Sequence, residues 1–363
     1  MYLLLALHCE QEGTNISREK RKLDHINLAL KSAWSPGTNG FQDVALVYEA
    51  LPELSMEEID TSLPLFKKKL KAPLLINAMT GGHPDVKAIN KSLARAARRY
   101  GIAMAVGSQR AGLDNPQVRD TYIIAREENP EGLLLANLSA ASSPEMALAA
   151  IEMIKADGIQ LHLNSAQELA MPEGDRDFRE ILQNIVKVVK ASPVPVIVKE
   201  VGYGLGQDTA RRLSRAGVTC LDIGGSGGTD FVRIENMRAE RVRAPKESQG
   251  LTSAVSLLEV LNQNISGTII ASGGFTEPFE IASALALGAQ MVGMAGHLLR
   301  CLMESEEALN ERIEEIITGL RRAMLMAGAR TLIDLPSKPV VITGMTAEWL
   351  QTRGINIDQY ARR

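Results

Sequence analysis

The stretch 158–164, which reads GIQLHLN, alternates apolar and polar residues. Successive side chains of a strand point to opposite faces, so Gln160, His162 and Asn164 share one face. Three polar residues in succession on the inner face of a fold are costly unless they are hydrogen-bonded or used. The pattern is compatible with a structural hydrogen-bond network, but it favours the polar wall of an active site.

Two more polar side chains, Gln167 and Glu168, follow this stretch directly. Carboxylate oxygens are ligands that a hard cation such as Mg2+ prefers. We therefore expect Glu168 to be able to hold a metal ion beside the polar wall.

A lysine follows another apolar run, in the segment VIVKE at 196–200. Lys199 comes two residues after Ile197, so both side chains should point inward. A lysine in this position is a Schiff-base nucleophile, a fixed positive charge, or a member of a structural ion pair.

Glycine-rich segments recur late in the chain, as GGSGGT at 224–229, SGG at 272–274 and MAG at 294–296. Glycine lets backbone N–H groups approach a phosphate closely, although it also makes tight turns. Two such loops after adjacent late strands, each entering a helix, predict a phosphate site. Polar residues at 77–82, 107–110 and 137 add groups that suit the polar edge of a planar cofactor.

The elements that position these residues are predicted by eight short apolar runs, each followed by a longer amphipathic segment. The runs lie at 74–78, 103–107, 133–137, 159–163, 196–199, 220–223, 268–272 and 291–295. Continuous apolar runs are typical of parallel strands buried on both faces, and the spacing allows a crossover helix each time. The pattern predicts an α/β fold, a (β/α)8 TIM barrel with its chemistry at the carboxyl ends of the strands. An open doubly wound sheet is the alternative, which the missing GxGxxG after the first strand disfavours.

Helices are predicted between the strands, among them 86–100, 144–155, 178–190 and 276–287, and one long helix is predicted at 297–329. We expect three regions: a leader and substrate-covering arm at 1–71, the barrel at 72–330, and a tail at 331–363 that packs on the barrel. The arm carries Arg21, Lys22 and His25. This cluster is either a solvated helix start or a cover over the barrel mouth that neutralises a diphosphate.

The composition limits the possible partners. Over 363 residues the formal net charge is −3, which argues against a general nucleic-acid binder. Three cysteines without a CxxC pair disfavour a cysteine zinc site and indicate a reducing compartment. The apolar start is about seven residues long, whereas a membrane helix needs about 20. We therefore expect a cytoplasmic protein with no nucleic-acid or membrane partner.

The ordered set of motifs resembles the type 2 isopentenyl-diphosphate delta-isomerases, which bind FMN. The resemblance runs from Arg21 to about Gly354. It rests on RKLDHI at 21–26, NAMTGG at 77–82, VGSQRAGL at 106–113, QLHLNSAQELAMPEGDRDF at 160–178, VIVKEVG at 196–202, DIGGSGGT at 222–229, ASGGF at 271–275 and GMAGH at 293–297. No single glycine motif is specific to this family, whereas the set in this order is.

The resemblance implies roles for individual residues. The positions that match FMN-binding residues are Ala78, Met79, Thr80, Ser108, Asn137, Lys199, Ser226, Thr229, Gly273, Gly274, Ala295 and Gly296. The positions that match substrate-side residues are Arg21, Lys22, His25, Ser108, Gln109, Arg110, His162, Asn164 and Gln167. Glu168 matches the Mg2+ ligand, and Gln167, His25 and Glu168 are the candidate catalytic residues.

The resemblance also implies an activity. The family interconverts isopentenyl and dimethylallyl diphosphate by a 1,3-allylic proton shift in isoprenoid biosynthesis. It uses Mg2+ and reduced FMN, with NADPH as the reductant, and its members form homo-oligomers, tetramers or octamers. The alternatives are an FMN-dependent 2-hydroxy-acid oxidoreductase, which would need a histidine base near the sixth or seventh strand end, and a non-catalytic barrel that binds a phosphate ligand.

Overall fold

The computed structural model describes residues 38–239 and 250–363 together with Leu28. In chain order its strands are β1 (Val44–Leu46), β2 (Leu63–Leu65), β3 (Lys68–Leu70), β4 (Leu74–Ile76), β5 (Ala103–Ala105), β6 (Leu134–Ser139), β7 (Gly158–Leu163), β8 (Val196–Glu200), β9 (Cys220–Asp222), β10 (Thr268–Ser272), β11 (Met291–Met294) and β12 (Val340–Ile342). Strands β4 to β11 coincide with the eight predicted runs to within two residues at each end.

These eight strands are all parallel and close into a barrel in chain order. The closing pair joins β11 to β4, with Gly293 opposite Leu75. This pair confirms the TIM barrel, because an open sheet would leave β4 and β11 unpaired or apart. Closure brings the carboxyl ends of all eight strands to one rim.

Helices follow the strands and cover the outside of the barrel. Their bounds are Lys87–Tyr100, Arg110–Asp114, Asp120–Glu128, Pro144–Ile154, Ser165–Ala170, Ile181–Ala191, Gln207–Arg215, Phe231–Arg238, Ser253–Leu261, Pro278–Leu287, Gly296–Glu304, Glu306–Met326, Gly344–Thr352 and Asp358–Ala361. The four shorter predicted helices are present, with shifts of up to three residues at their starts. Among the described helices, none combines the length and apolar character that crossing a membrane requires.

The single long helix predicted at 297–329 is wrong. The chain forms Gly296–Glu304 and Glu306–Met326 instead, and Ser305 between them has an extended backbone, with φ −170°. The Ser305 side chain accepts a hydrogen bond from the Ala308 backbone N–H, so it caps the second helix. The sequence signal was present, because a serine followed by two glutamates is typical of a helix N-terminus.

The barrel interior is layered from bottom to top. At the bottom, inward apolar side chains such as Leu75, Ile197 and Cys220 form one cluster, against which the β2–β3 hairpin packs through Phe66. The outward residues of the strands, Leu161 among them, join the larger core between the barrel and the helices. Towards the carboxyl ends of the strands, beyond this apolar cluster, the inward side chains become polar. The functional groups therefore lie at that rim.

The segment before the barrel in the sequence pairs with the segment after it. Strand β1 is antiparallel to β12, with Val44 opposite Ile342. The Asp43 carboxylate also accepts a hydrogen bond of 3.0 Å from the backbone N–H of Thr346. The start of the described chain and the tail are therefore held together beside the barrel.

Candidate active site

The carboxyl ends of the barrel strands open into a cavity of about 670 Å³. Its lining comes from the ends of all eight barrel strands and from the loops that follow them. A site assembled in this way draws each side chain from a different part of the chain, as is usual for this fold.

Most of the described residues that we singled out meet in this cavity. The candidate cofactor residues that line it are Ala78, Met79, Ser108, Asn137, Lys199, Thr229, Gly273, Gly274, Ala295 and Gly296. The candidate substrate and metal residues that line it are Ser108, Arg110, His162, Asn164, Gln167 and Glu168. The two sets therefore face one shared volume. Arg21, Lys22 and His25 lie outside the described residues.

Three of the predicted site residues are not in the lining. The Ser226 hydroxyl donates to the Gly250 carbonyl at 3.4 Å. Thr80 is buried, and its hydroxyl has no hydrogen-bond partner among the described residues. Each of the two directly follows a lining residue, Met79 in the case of Thr80 and Gly225 in the case of Ser226.

Gln109 is the third, and its amide is turned away from the cavity. It is fully buried; its Nε2 donates to the Ala150 carbonyl at 2.9 Å, and its Oε1 accepts from the Asn137 backbone N–H at 3.1 Å. The reason is local, because the side chain bridges the end of β6 and the helix Pro144–Ile154. In this structure Gln109 supports Asn137, and it does not face the position expected for substrate.

The inward face of β7 is confirmed. Gln160 is fully buried and hydrogen-bonds Asn137 on the neighbouring strand β6 and Asn77 after β4, while His162 and Asn164 line the cavity. Both interpretations of the polar face are therefore present: its lower end is a hydrogen-bond network and its upper end is cavity wall.

Gln167 is oriented by a carboxylate that the sequence analysis missed. Its Nε2 donates to Glu235 Oε1 at 3.0 Å, and Glu235 is fully buried and accepts a second bond of 2.8 Å from Arg238. An ionised carboxylate cannot donate, so the NH2 group of Gln167 must face Glu235 and its Oε1 must face elsewhere. Glu235 lies 68 residues away in sequence, on the helix Phe231–Arg238, and no local pattern marks it.

Glu168 is held in place by two hydrogen bonds. Its Oε1 accepts from Asn164 Nδ2 at 2.8 Å, and its Oε2 accepts from the Asp175 backbone N–H at 2.9 Å. Each carboxylate oxygen can accept more than one bond, so both keep capacity for a cation. The described residues contain no cluster of three or more metal-binding side chains. This donor set fits Mg2+, which usually binds one or two carboxylates and completes its shell with water and phosphate oxygens.

Lys199 is the penultimate residue of β8 and reaches the cavity as predicted, with only 7% of its surface exposed. Its Nζ donates to the Glu200 carbonyl at 2.7 Å and, among the described residues, forms no salt bridge. Burial raises the pKa of Glu200, although the backbone N–H groups of Tyr203, Gly202 and Gly204 and the nearby Lys199 oppose that rise. This geometry favours the fixed positive charge over a structural ion pair.

The glycine-rich loops after β9 and β10 interlock. Gly273 has φ +110° and Gly274 has φ +81°, conformations that other residues rarely adopt. A Cβ atom on Gly273 would overlap the Gly225 carbonyl oxygen, and one on Gly274 would overlap that of Gly227. Only glycine therefore fits here, and the bare backbone forms a rim of the cavity that can approach a phosphate closely.

His297 also lines the cavity, at the start of the helix Gly296–Glu304. Burial, together with the charges of Arg312 and Arg300, lowers its pKa to about 4. Its Nε2 accepts a hydrogen bond of 2.8 Å from Arg312 Nε, so the ring is neutral at pH 7. After β9 and β10, by contrast, residues 223–230 and 273–277 contain no histidine.

The sequence of this chain is similar to those of known proteins along nearly its whole length. An isopentenyl-diphosphate delta-isomerase of Moorella thermoacetica is 50% identical over 343 residues, which cover 94% of this chain and 99% of that protein. The chain belongs to the isopentenyl-diphosphate delta-isomerase family. A protein of that name from Symbiobacterium thermophilum is 44% identical over 360 residues, covering 95% of this chain and 98% of that protein. Residues 116–342 match the family model described as FMN-dependent dehydrogenase, to which the chain also belongs.

Solved structures with a similar fold have little sequence in common with this chain. A mandelate oxidase variant with benzaldehyde has a TM-score of 0.64 at 15% identity and covers 88% of this chain and 94% of its own. A Pediococcus acidilactici structure titled as a putative lactate oxidase has a TM-score of 0.66 at 14% identity and covers 90% and 93%. These structures support the barrel and carry no argument about the reaction, whereas the family confirms the resemblance found in the motifs.

Proposed function

We propose that the protein interconverts isopentenyl diphosphate and dimethylallyl diphosphate, as the names of its relatives state for them. The observation that carries the proposal is the shared cavity. Glycine loops and Lys199 line one part of it, while His162, Gln167 and Glu168 line another. A planar cofactor and an anionic substrate can therefore lie against each other in one volume.

The residues around the cavity fit FMN, as the family description suggests. The backbone of the loops at 272–274 and 294–296 leaves room for its phosphate, at the ends of the last two barrel strands. Asn137 and Lys199 offer polar groups for the flavin ring. The Thr80 hydroxyl, buried beside the cavity-lining Met79, lacks a partner that a cofactor atom could supply.

The reaction moves one proton onto a terminal alkene carbon and removes another two carbons away, so the atoms and electrons balance without net oxidation. Reduced FMN, when bound, supplies an electron-rich ring beside the alkene and, at N5, an atom that can carry a proton. We assign NADPH as the source of the electrons that keep the flavin reduced. Lys199 would stabilise negative charge on the reduced ring by its own positive charge.

The other side chains bind and orient the diphosphate. Glu168 would hold Mg2+, whose charge would offset that of the diphosphate together with Arg110 and, from the arm, Arg21 and Lys22. His162, Asn164 and Ser108 supply polar contacts to the substrate. Gln167 turns its NH2 group to Glu235, so its Oε1 is the end that would accept a hydrogen bond in the cavity. Gln167 and His25 are the candidates from this chain for moving the proton.

The assay is direct. The purified protein, with FMN, NADPH and Mg2+, is incubated anaerobically with isopentenyl diphosphate, and dimethylallyl diphosphate is expected to accumulate. Its absence would refute the proposed activity. Oxidation of a 2-hydroxy acid instead would support the alternative, an FMN-dependent 2-hydroxy-acid oxidoreductase. A protein that neither reacts nor becomes yellow with FMN would exclude both flavin enzymes and leave the non-catalytic phosphate-binding barrel as the alternative.

We also propose a homo-oligomer, a tetramer or octamer, in which residues 331–363 contribute to contacts. Large apolar side chains of that region are exposed, Ile333 at 88% and Met345 at 73%. Light scattering during size-exclusion chromatography measures the mass, and a monomer would contradict the proposal. The cytoplasmic location stays a prediction.

A further inference from the structure

A line of polar side chains crosses the barrel at the floor of the cavity, which three of its members, Asn77, Asn137 and His162, also line. It joins Asp222 at the end of β9 to His162 on β7 by way of Asn77, Gln160 and Asn137. Asp222 and Gln160 are fully buried, and Asn137 and Asn77 are only 3% and 5% exposed. Asp222 has no part in the proposed reaction.

The hydrogen bonds run in one direction along this line. Asp222 Oδ2 accepts from Asn77 Nδ2 at 2.7 Å, and Asn77 Oδ1 accepts from Gln160 Nε2 at 2.9 Å. Gln160 Oε1 accepts from Asn137 Nδ2 at 2.9 Å, and Asn137 Oδ1 lies 3.0 Å from His162 Nδ1. Each amide thus donates towards Asp222 and accepts from the side of His162.

The direction is fixed at the Asp222 end. A carboxylate only accepts, and an amide has one donating and one accepting end, so Asn77 can face Asp222 only with its NH2 group. Asn77 Oδ1 also accepts the backbone N–H of Ala78 at 2.9 Å, which opposes a flip of this amide. Gln160 and Asn137 must follow the same orientation, because a reversed amide would face its neighbour oxygen to oxygen or nitrogen to nitrogen.

The last link determines where the proton of His162 lies. An amide oxygen cannot donate, so the hydrogen bond between Asn137 Oδ1 and His162 requires the proton on Nδ1. We infer that Asp222 is a positioning residue for His162: through three amides it orients the ring bond so that Nδ1 carries the proton and, whenever the imidazole is neutral, Nε2 carries the lone pair.

This tautomer decides what the ring can contact in the cavity that it lines. In the neutral ring Nε2 accepts a hydrogen bond, so the polar contact of His162 with the diphosphate would run through a water molecule that donates to Nε2. The inference rests on the proposed function only for the identity of that contact. The tautomer itself is a property of the protein and can be measured without FMN, metal or substrate.

The first test is the wild-type chain labelled with 15N-histidine and measured by long-range 1H–15N correlation. At about pH 8.5 the histidines are neutral, since their ordinary pKa is about 6.5. The chain has five histidines, and the His162 signal is assigned by its loss in His162→Gln. Two other histidines are internal references. His83 accepts a hydrogen bond from the Asp85 backbone N–H at Nδ1, so the neutral His83 ring carries its proton on Nε2. His297 accepts a hydrogen bond from Arg312 at Nε2, so the neutral His297 ring carries its proton on Nδ1.

We expect the pattern of His162 to match that of His297. A His162 signal of the His83 type, with the proton on Nε2, would overturn the inference whether or not the isomerase assay succeeds. This measurement needs no variant that perturbs the buried line.

The second test uses Asp222→Asn, which keeps the volume but can face Asn77 with either end of its amide. The ratio of the Nδ1–H to the Nε2–H form of His162 should fall at least about tenfold, because bonds to a charged acceptor are about twice as strong as neutral ones. Ser272→Ala is the matched control: Ser272 Oγ donates to the other oxygen of Asp222, so its loss leaves the bond to Asn77 in place. An unchanged ratio in Asp222→Asn, or an equal change in Ser272→Ala, would overturn the assignment to Asp222.

If Asp222→Asn does not fold, as judged by circular dichroism, Gln160→Met replaces it. Methionine has a similar length and removes both central hydrogen bonds, so Asn137 loses its orientation. The same fall in the tautomer ratio is expected, and an unchanged ratio would overturn the inference.

Discussion

Replacing Lys199 by methionine tests the electrostatic part of the proposed function. Methionine keeps most of the aliphatic length and removes the positive charge. Lys199 is 93% buried and bonds one backbone carbonyl, so its charge acts inside the cavity with little screening by solvent. If this charge stabilises reduced FMN, its loss should make the flavin harder to reduce.

The magnitude follows from the kind of contact. A hydrogen bond to a charged group contributes about 1.5–3 kcal/mol. For a two-electron couple about 1.4 kcal/mol corresponds to about 30 mV, so the midpoint potential should fall by roughly 30–60 mV. The oxidised flavin is neutral, so removing the lysine charge should cost it less binding free energy. Its affinity should therefore weaken by a smaller factor than that of reduced flavin.

The assay is a spectroscopic redox titration of the protein saturated with FMN. Lys190→Met is the matched control, because it removes the same charge from an exposed position on the helix Ile181–Ala191. Its potential should stay within about 10 mV of wild type, since exposed charges are screened. A wild-type potential in Lys199→Met, or equal shifts in both variants, would refute a contact between Lys199 and the flavin.

Three further predictions follow from the site. Glu168→Gln should lower turnover at least about 100-fold and abolish its dependence on Mg2+ while leaving bound FMN unchanged; loss of the yellow colour instead would contradict its assignment to the metal. Gly274→Ala should release FMN, measured by fluorescence of free flavin, because a Cβ would overlap the Gly227 carbonyl oxygen in a left-handed backbone; normal FMN retention would refute the cradle. His297 has its pKa lowered to about 4, so the unfolded chain takes up its proton first as pH falls. The free energy of unfolding should therefore fall as the pH is lowered from about 6.5 to about 4, and His297→Gln should make that fall smaller in denaturant titrations. An unchanged dependence of the free energy of unfolding on pH would contradict a buried neutral ring.

The sequence by itself determined the barrel and the faces of its strands. Apolar runs of strand length, separated by helical segments, predicted all eight strands, and the alternation along 158–164 predicted that Gln160 and His162 point inward. Both inferences are local, because the period of a strand fixes which side chains share a face. The ordered motifs then indicated the family, which no physical pattern in the chain could have named.

Helix ends were less well determined by pattern alone. Helical periodicity continues across 297–329, yet the chain breaks at Ser305, whose side chain accepts the capping bond from the Ala308 backbone N–H. Periodicity reports which face is apolar and is insensitive to one extended residue, so the break depends on a local side-chain bond that competes with the helix.

The tertiary structure alone decided which side chains meet. Asn77 and Asp222 are 145 residues apart, Gln160 and Asn77 are 83 apart, and Gln167 and Glu235 are 68 apart. A strand pattern predicts that a side chain points into the barrel, but it does not predict the partner of that side chain's hydrogen bonds. It also did not predict that the Gln109 side chain hydrogen-bonds a helix and points away from the cavity. Those choices come from barrel closure, which brings distant strand ends within hydrogen-bond distance and requires each buried polar group to find a partner there.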